Sequence, residues 1–167
     1  MDERMKRALE QAYTGEAKAA LRLKVFAKKA EEEGFPQIAK LFRVIAFSEE
    51  IHGERALRVL REIRSTEENL KESFESEENV AHVAYDQFLR LAYDLGDKGA
   101  AWHFTQSRDV EEVHAKLYKN ALNDLMGDRV TDYYVCTVCG DISDGTLPDV
   151  CPVCGAKPEE FEAYAET

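Results

Sequence analysis

Cysteine is absent from residues 1–135, so disulfide bonds cannot organise most of this 167-residue chain. Long apolar runs are also absent, and none approaches the ~18 residues that indicate a membrane-spanning helix. The first nine residues are too charged to begin a secretory signal. Basic side chains are scarce, with 22 Lys and Arg against 33 Asp and Glu, and the net charge of −11 opposes nucleic acids and anionic membranes. We therefore expect a cytoplasmic protein that binds neither.

Proline is also scarce before residue 127, where Pro36 stands alone. Apolar and charged residues recur there at three- and four-residue spacing, which indicates amphipathic helices rather than strands. Breaks fall at residues 33–36, near residues 65–66 and at residues 95–99, and they leave four helices of roughly 25 to 30 residues. Helices of that length pack as a bundle. The sequence therefore predicts a mainly α fold with a four-helix bundle over residues 1–128.

The helical region contains an internal repeat. A shift of 62 residues superposes Glu49 on Glu111 and His52 on His114, together with glycines and apolar residues around them. Each Glu-x-x-His pair places a carboxylate and an imidazole on one side of its helix. In helical phase, Glu49 and Glu111 both lie among mainly apolar residues, so we expect both pairs to point into the bundle.

The first and third predicted helices add one carboxylate each. Glu16 and Glu77 are in phase with Ala, Leu and Phe residues of their own helices. The 62-residue shift pairs Glu16 with Glu78 instead, but Glu78 is rotated by about 100° from the apolar side, so we prefer Glu77.

Four buried glutamates require protons, basic partners or cations to offset the cost of burying their charge. The alternative is that these glutamates lie on solvated helix faces and bind no metal. One Glu from each of two helices, with Glu-x-x-His from each of the other two, is the ligand pattern of di-metal bundles. We therefore predict a two-metal site whose ligands are Glu16, Glu49, His52, Glu77, Glu111 and His114.

The cysteines form two Cys-x-x-Cys pairs, each followed by glycine, with eleven residues between the pairs, within a tail rich in turn-forming residues. Their clustering disfavours a disulfide interpretation and indicates a tetrahedral thiolate site formed by Cys136, Cys139, Cys151 and Cys154. Such a site accepts iron, as a one-electron carrier, or zinc, as a structural ion, and the spacing does not separate the two. Residues 129–167 are too few to fold on burial alone, so we expect a small metal-stabilised β domain.

Taken in order, these features resemble the rubrerythrins, which join a ferritin-like di-iron bundle to a rubredoxin-like domain. The matching segments span nearly the whole chain: Thr-Gly-Glu16-Ala-Lys-Ala, Ser-Glu49-Glu-Ile-His52, Glu111-Glu-Val-His114-Ala, Tyr133-Tyr-Val-Cys136 and Cys-Pro-Val-Cys154-Gly-Ala. The family spacing of 33 and then 34 residues between paired ligand glutamates also matches, with Glu77 as the third-helix ligand.

The resemblance implies a peroxidase that reduces hydrogen peroxide to water at a di-iron site. Electrons would enter through the four-cysteine iron from a reductase that uses a nicotinamide cofactor, or from a rubredoxin-type donor. Rubrerythrins usually carry a further glutamate three residues after the third-helix ligand, where this chain has Val80, and Leu23 replaces a common tyrosine. These departures favour two alternatives: a ferroxidase or iron-handling protein, and a dioxygen-reducing one. A bundle with a structural zinc knuckle, acting as an interaction module, is a further alternative.

The connection between the second and third helices predicts a dimer. A ferritin-like bundle runs these helices in the same direction, so the connection must cross roughly 35 to 40 Å. About five residues near Ser65 are free, and they reach only about 16 Å. We therefore expect a homodimer in which helix pairs are exchanged between two chains.

Overall fold

The computed structural model describes residues 1–127 and 129–165. The predicted domain boundary at Asp128, and the final residues Glu166 and Thr167 of the predicted small domain, lie outside the described residues. The chain divides into two compact units, Met1–Arg64 and Ser65–Thr167, and each is described by itself. Among the described residues, no helix is both long enough and apolar enough to cross a membrane.

The first unit is a pair of long helices. Helix α1 spans Glu3–Glu32, and its first turn is capped by the Asp2 carboxylate, which accepts the Arg4 N–H at 2.8 Å. Helix α2 spans Pro36–Leu60, with proline in the first turn, where its missing N–H has no helical partner to lose. Small residues let the helices approach closely, and the core of this unit is formed by Ala27, Ala30 and Ala39 with Phe42 packed against them.

The second unit begins with three α-helices: α3 (Thr66–Asn79), α4 (Tyr85–Asp94) and α5 (Lys98–Asn123). Ser65 and Glu68 form a capping box at the start of α3, and the Asp97 carboxylate caps α5. The mainly α fold is confirmed, and the helix breaks lie where the sequence predicts them. The third predicted helix differs, because a π-helix at Val80–Ala84 joins α3 to α4.

The π-helix explains why the internal repeat pairs Glu16 with Glu78 and not with the predicted ligand Glu77. Gly34 follows Glu16 by 18 residues, whereas Gly96 follows Glu77 by 19. Within the π-helix the Tyr85 N–H donates to the Val80 carbonyl, five residues back, so the wider turn takes up the additional residue. As a result, Glu77 keeps the helical phase that Glu16 has.

The C-terminal part of the second unit is a three-stranded antiparallel sheet with the order β2-β1-β3. Strand β1 spans Tyr133–Cys136, β2 spans Ile142–Asp144 and β3 spans Phe161–Tyr164. A glycine follows each cysteine pair with a positive φ, +86° at Gly140 and +77° at Gly155, which residues with a side chain rarely adopt. These turns fold the two cysteine segments back, as the predicted β-rich metal-binding domain requires.

Candidate metal centres

The first candidate centre lies between α1 and α2. Glu16, Glu49 and His52 each offer a ligand atom, and these atoms lie within 4.8 Å of one another. His52 Nδ1 is 3.0 Å from Glu49 Oε2 and 3.8 Å from Glu16 Oε1. Gly53 is buried beside them, and a Cβ added there would lie 3.9 Å from Glu16 Cβ. The two helices therefore approach closely at this group.

The second centre repeats this geometry between α3 and α5. Glu77, Glu111 and His114 also bring one ligand atom each within 4.8 Å. His114 Nδ1 is 2.9 Å from Glu111 Oε2, which matches the His52 geometry in the first unit. The other ring nitrogen, Nε2 of His114, is buried and has no hydrogen-bond partner among the described residues. The structure thus brings the six predicted ligands together as two groups of three, one in each unit.

The neighbouring carboxylates shift each other's titration. A hydrogen bond with Glu49, then burial and the Glu49 charge, raise the pKa of Glu16. Burial, then a hydrogen bond with Glu111 and the charge of that residue, raise the pKa of Glu77. In each pair, folding therefore favours a proton that the two carboxylates share. A divalent cation offsets the same repulsion, and carboxylates with imidazole are donors that iron accepts.

The four cysteines also lie as one group, with their sulfur atoms within 4.8 Å of one another. Cys136 Sγ is 3.7 Å from Cys154 Sγ, and Cys139 Sγ is 3.6 Å from Cys151 Sγ. All are free thiols, because a disulfide would require about 2.05 Å. Four sulfurs at these distances fit a tetrahedral iron or zinc ion.

Burial and backbone amides act against each other on these thiols. Burial raises the pKa of Cys151 to about 11 and moves the pKa of Cys139 further upward. Burial also acts on Cys136, but hydrogen bonds from the backbone N–H groups of Cys139 and Val138 outweigh it and lower the pKa of that thiol. The turns after each pair therefore favour the thiolate form that a metal requires.

Sequence reasoning missed Asp141, a buried carboxylate beside the cysteine group. Asp141 is 2% exposed, and its Oδ2 lies 3.5 Å from Cys151 Sγ, which donates to it. The backbone carbonyl of the same residue accepts the Cys136 N–H at 2.8 Å. The only sequence signal was its place directly after the first Cys-x-x-Cys-Gly segment, where a charged residue is not expected to be buried.

Glu78, His82 and His103 belong to neither group of three. Glu78 is exposed, and its carboxylate is 3.9 Å from Nε2 of the exposed His82. His103 is exposed next to Phe104, with ring centroids 5.5 Å apart. Val80, at the position where rubrerythrins usually have a further glutamate, is the first residue of the π-helix and supplies no ligand atom.

Comparison with known proteins covers both parts of the chain. The family model "Rubrerythrin" matches residues 7–122, and the model "Rubrerythrin, rubredoxin-like domain" matches residues 134–162. Rubrerythrin-2 of Clostridium acetobutylicum is 30% identical over 93% of this chain and 94% of its own length. Nigerythrin of Nitratidesulfovibrio vulgaris is 31% identical over 93% of this chain and 84% of its own length.

Solved structures give the same relationship. The structure described as the fully reduced, all-ferrous state of nigerythrin matches with a TM-score of 0.60 and 30% identity, over 95% of this chain and 86% of that chain. The mixed-valence state of nigerythrin matches with a TM-score of 0.59. Sequence, fold and the order of the two ligand groups and the four cysteines thus agree, and the chain belongs to the rubrerythrin family.

Proposed function

We propose that this protein reduces hydrogen peroxide to water at a di-iron site and receives electrons through its four-cysteine iron. The observation that carries the proposal is the presence of three metal-ligand groups in one chain: the two carboxylate–histidine groups and the cysteine group. Rubrerythrins bind a di-iron centre and one iron on four cysteines, and this chain has the donor set for each. The proposed ligands are Glu16, Glu49, His52, Glu77, Glu111 and His114 for the di-iron site, and Cys136, Cys139, Cys151 and Cys154 for the single iron.

Two iron ions would supply the electrons that break the O–O bond of peroxide. The residues of the chain do the rest. In each group the neighbouring carboxylate raises the pKa of one glutamate, Glu16 or Glu77, so metal binding should release any proton that this glutamate holds in the metal-free protein. His52 and His114 hold Nδ1 within 3.0 Å of the neighbouring glutamate, which orients each imidazole for coordination without further rearrangement.

The overall reaction consumes two electrons and two protons for each peroxide and forms two water molecules. The electrons must come from outside the chain, and we propose a reductase that uses a nicotinamide cofactor, or a rubredoxin-type protein, as the donor. The cytoplasmic location and the division into domains at residues 128 and 129 stay predictions. Both are compatible with free thiols at all four cysteines.

Anaerobic stopped-flow absorption tests the proposal. Protein loaded with about three irons per chain, two on the carboxylates and one on the cysteines, is reduced and mixed with peroxide. We expect the colour of the oxidised four-cysteine iron to return within the time of one turnover. The Cys136→Ser variant should lose that signal, because one of its four thiolates is missing. A reduced protein that remains colourless with peroxide would contradict the proposal.

A second candidate function follows from Val80. With a valine in place of the further glutamate, six side chains remain for two metals, as in other ferritin-like proteins. That observation favours reaction with dioxygen, or oxidation and uptake of ferrous iron. Peroxide and dioxygen should therefore be compared as oxidants in the same experiment, with net iron uptake measured in parallel. Faster oxidation by dioxygen, with iron retained beyond three per chain, would favour the iron-handling function.

The assembly we propose is a homodimer with exchanged helix pairs. Each unit holds three of the six ligands, so a complete site needs one group from each. The connection between α2 and α3 contains only residues 61–65, which span about 16 Å when extended, whereas the 25-residue α2 is about 37 Å long. Both ends are fixed, by Arg61 in the left-handed conformation and by the capping box of Ser65. Exposed apolar side chains on α2, such as Leu41, Val44 and Phe47, also require a covering surface.

Lengthening the connection tests the exchange. A flexible insertion of about 40 residues after Arg61 spans roughly 35 Å and allows both helix pairs of one chain to meet. We expect the native chain to be dimeric by sedimentation, and the lengthened chain to become monomeric at low concentration while it retains its metal. A monomeric native chain that binds two metals in the carboxylate site would refute the exchange.

A further inference from the structure

A surface cavity in the first unit reaches one of the proposed iron ligands. The cavity measures about 390 Å³ and lies in the groove between α1 and α2. Glu49 forms part of its wall, together with Tyr13, Ala17 and Gly53. Gly53 is buried, whereas Ala17 is exposed, so the cavity opens to solvent. Glu49 therefore belongs both to the first carboxylate–histidine group and to the wall of this cavity.

The cavity lies on the opposite side of Glu49 from His52. At about 100° per residue, His52 is turned about 60° from Glu49 around α2 in one direction. Gly53 and Leu57, which line the cavity, are turned about 40° and 80° from Glu49 in the other direction. A small molecule in the groove can therefore approach the Glu49 carboxylate without displacing the imidazole.

Gly53 leaves room in the groove because it has no side chain. The internal repeat places Ala115, which is buried in α5, at the position that Gly53 has in α2. A Cβ added to Gly53 would lie 3.7 Å from the ring of Tyr13 and 3.9 Å from Glu16 Cβ. Both are ordinary van der Waals distances, so a methyl group fits there without displacing its neighbours. It would fill space that this half of the repeat leaves empty beside its ligand group.

The charged residues at the rim of the cavity are paired. Lys24 of α1 and Glu50 of α2 both line the cavity and form an ion pair between the two helices. Glu54, also at the rim, accepts a hydrogen bond from Arg58, which lies one turn later. The remaining wall is mainly apolar and includes Ala17, Ala20, Leu21 and Leu57. Paired charges and apolar groups do not attract an ion, so the groove suits a small uncharged molecule.

We propose that hydrogen peroxide enters through this groove to reach the metal held by Glu16, Glu49 and His52, and that Gly53 keeps the passage open. The inference rests on the proposed function, which requires peroxide to reach the carboxylate site. Hydrogen peroxide is small and uncharged at neutral pH, which matches the paired rim and the apolar wall. Gly53 acts on entry and not on the chemistry, so filling the groove should slow the encounter and leave the metal ligands in place.

Two substitutions that fill the groove test this route. Gly53→Ala adds one methyl group, and Ala17→Leu adds a larger side chain at the exposed end of the cavity. In reduced, iron-loaded protein, the second-order rate constant for oxidation by peroxide should fall by about 5- to 100-fold in Ala17→Leu, because packed side chains must be displaced for the molecule to pass. The fall should be smaller in Gly53→Ala, and the iron content of both variants should equal that of the native protein.

Gly15→Ala is the matched control. Gly15 is also a helical glycine, and a Cβ added there would meet nothing within 4 Å. Both glycine variants should therefore raise the melting temperature, because alanine is the better helix former. Only Gly53→Ala should react more slowly with peroxide, so the comparison separates filling of the groove from a change in helix stability.

Dioxygen, used as a paramagnetic probe, measures access without turnover. Ala20 is 5% exposed and lines the cavity, whereas Ala46, which is 1% exposed, lies in the same helix pair and is not part of the cavity wall. In zinc-loaded protein, dissolved dioxygen should enhance the nuclear relaxation of the Ala20 methyl group more than that of Ala46. This difference should shrink in Ala17→Leu and persist in Gly15→Ala.

The outcomes separate the route from the proposed function. If native protein reacts with peroxide and neither groove variant changes the rate constant, the route is wrong. Equal enhancement of relaxation at Ala20 and Ala46 in the native protein would also overturn it. Failure of the native, iron-loaded protein to react with peroxide would refute the proposed function and with it the entry of peroxide, whatever the relaxation of Ala20 shows.

Discussion

Replacement of Glu77 by glutamine should stabilise the metal-free protein and weaken its binding of metal. Without metal, burial and the Glu111 carboxylate raise the pKa of Glu77. A carboxyl whose pKa is raised by folding stabilises the protein while it is protonated, and that stability is lost as the pH rises through the raised value. At pH 8 the metal-free native protein therefore keeps two repelling carboxylates, whereas the Glu77→Gln variant has one carboxylate that accepts a hydrogen bond from the new amide.

The distance between the two groups sets the size of this effect. Their ligand atoms are at most 4.8 Å apart, which corresponds to a repulsion of about 0.9 kcal/mol in water and about 3.5 kcal/mol at the effective dielectric of a protein surface. The site is partly exposed, so we expect a gain near 1 kcal/mol, or about 2 to 4 °C in melting temperature. At pH 4, below the raised pKa of Glu77, that carboxyl is mainly protonated and the gain should disappear. Thermal melting of the metal-free protein at both pH values checks this.

With metal present the sign reverses, because Glu77→Gln removes a charged ligand. Removal of a residue that only orients a ligand already lowers metal affinity by about 10- to 100-fold. Removal of a ligand itself should therefore lower it by at least about 100-fold. Glu78→Gln is the matched control, since Glu78 is exposed and lies outside the ligand group. If the two variants bind iron equally well, or if Glu77→Gln destabilises the metal-free protein at pH 8, the assignment of Glu77 is wrong.

Three further predictions concern the rest of the second unit. Ser65→Ala removes the hydrogen bond that the Ser65 hydroxyl accepts from the Glu68 N–H and should lower the free energy of unfolding by about 1 kcal/mol in urea titrations, whereas the exposed Ser76→Ala should change it little. Deletion of Val83 should convert the π-helix to α-helix and leave Glu77 able to bind metal, whereas deletion of Gln106 in α5, which has no π-turn to absorb it, should abolish binding. Because burial raises the pKa of Cys151 to about 11, zinc affinity of the metal-free cysteine site should keep rising up to at least pH 9 in competition titrations.

The helices could be predicted from the sequence because their signals are local. Apolar periodicity, the caps at Asp2, Ser65 and Asp97 and the glycine breaks each act within a few residues, and the structure has the helix ends there. The cysteine site could be predicted for the same reason, since the two Cys-x-x-Cys-Gly segments carry the ligands and their turns together. Neither inference required knowledge of how distant segments pack.

The contacts that connect the cysteine domain to α5 could not be predicted. The burial of Asp141 depends on how the two cysteine segments fold together, and the approach of Gly140 to Val110 depends on the orientation of the small domain against a helix that ends about ten residues earlier. In the sequence, Asp141 is one of 33 acidic residues and Val110 is one of two valines on its helix. Only the packed structure distinguishes these two residues from the other acidic residues and valines of the chain.

Glu77 illustrates why local phase is the better guide when two sequence signals conflict. The 62-residue repeat favoured Glu78. That inference assumes a regular α-helix over the 18 residues from Glu78 to Gly96. A single wide turn in that interval makes the assumption wrong, and the π-helix at Val80–Ala84 is such a turn. Phase counted over the few residues from Glu77 to Ala81 crosses less of that turn than the count to Gly96 does. The apolar side of each helical segment must face the core whatever the count of residues, so packing favours Glu77, and the π-helix absorbs the mismatch at the turn next to this proposed metal ligand.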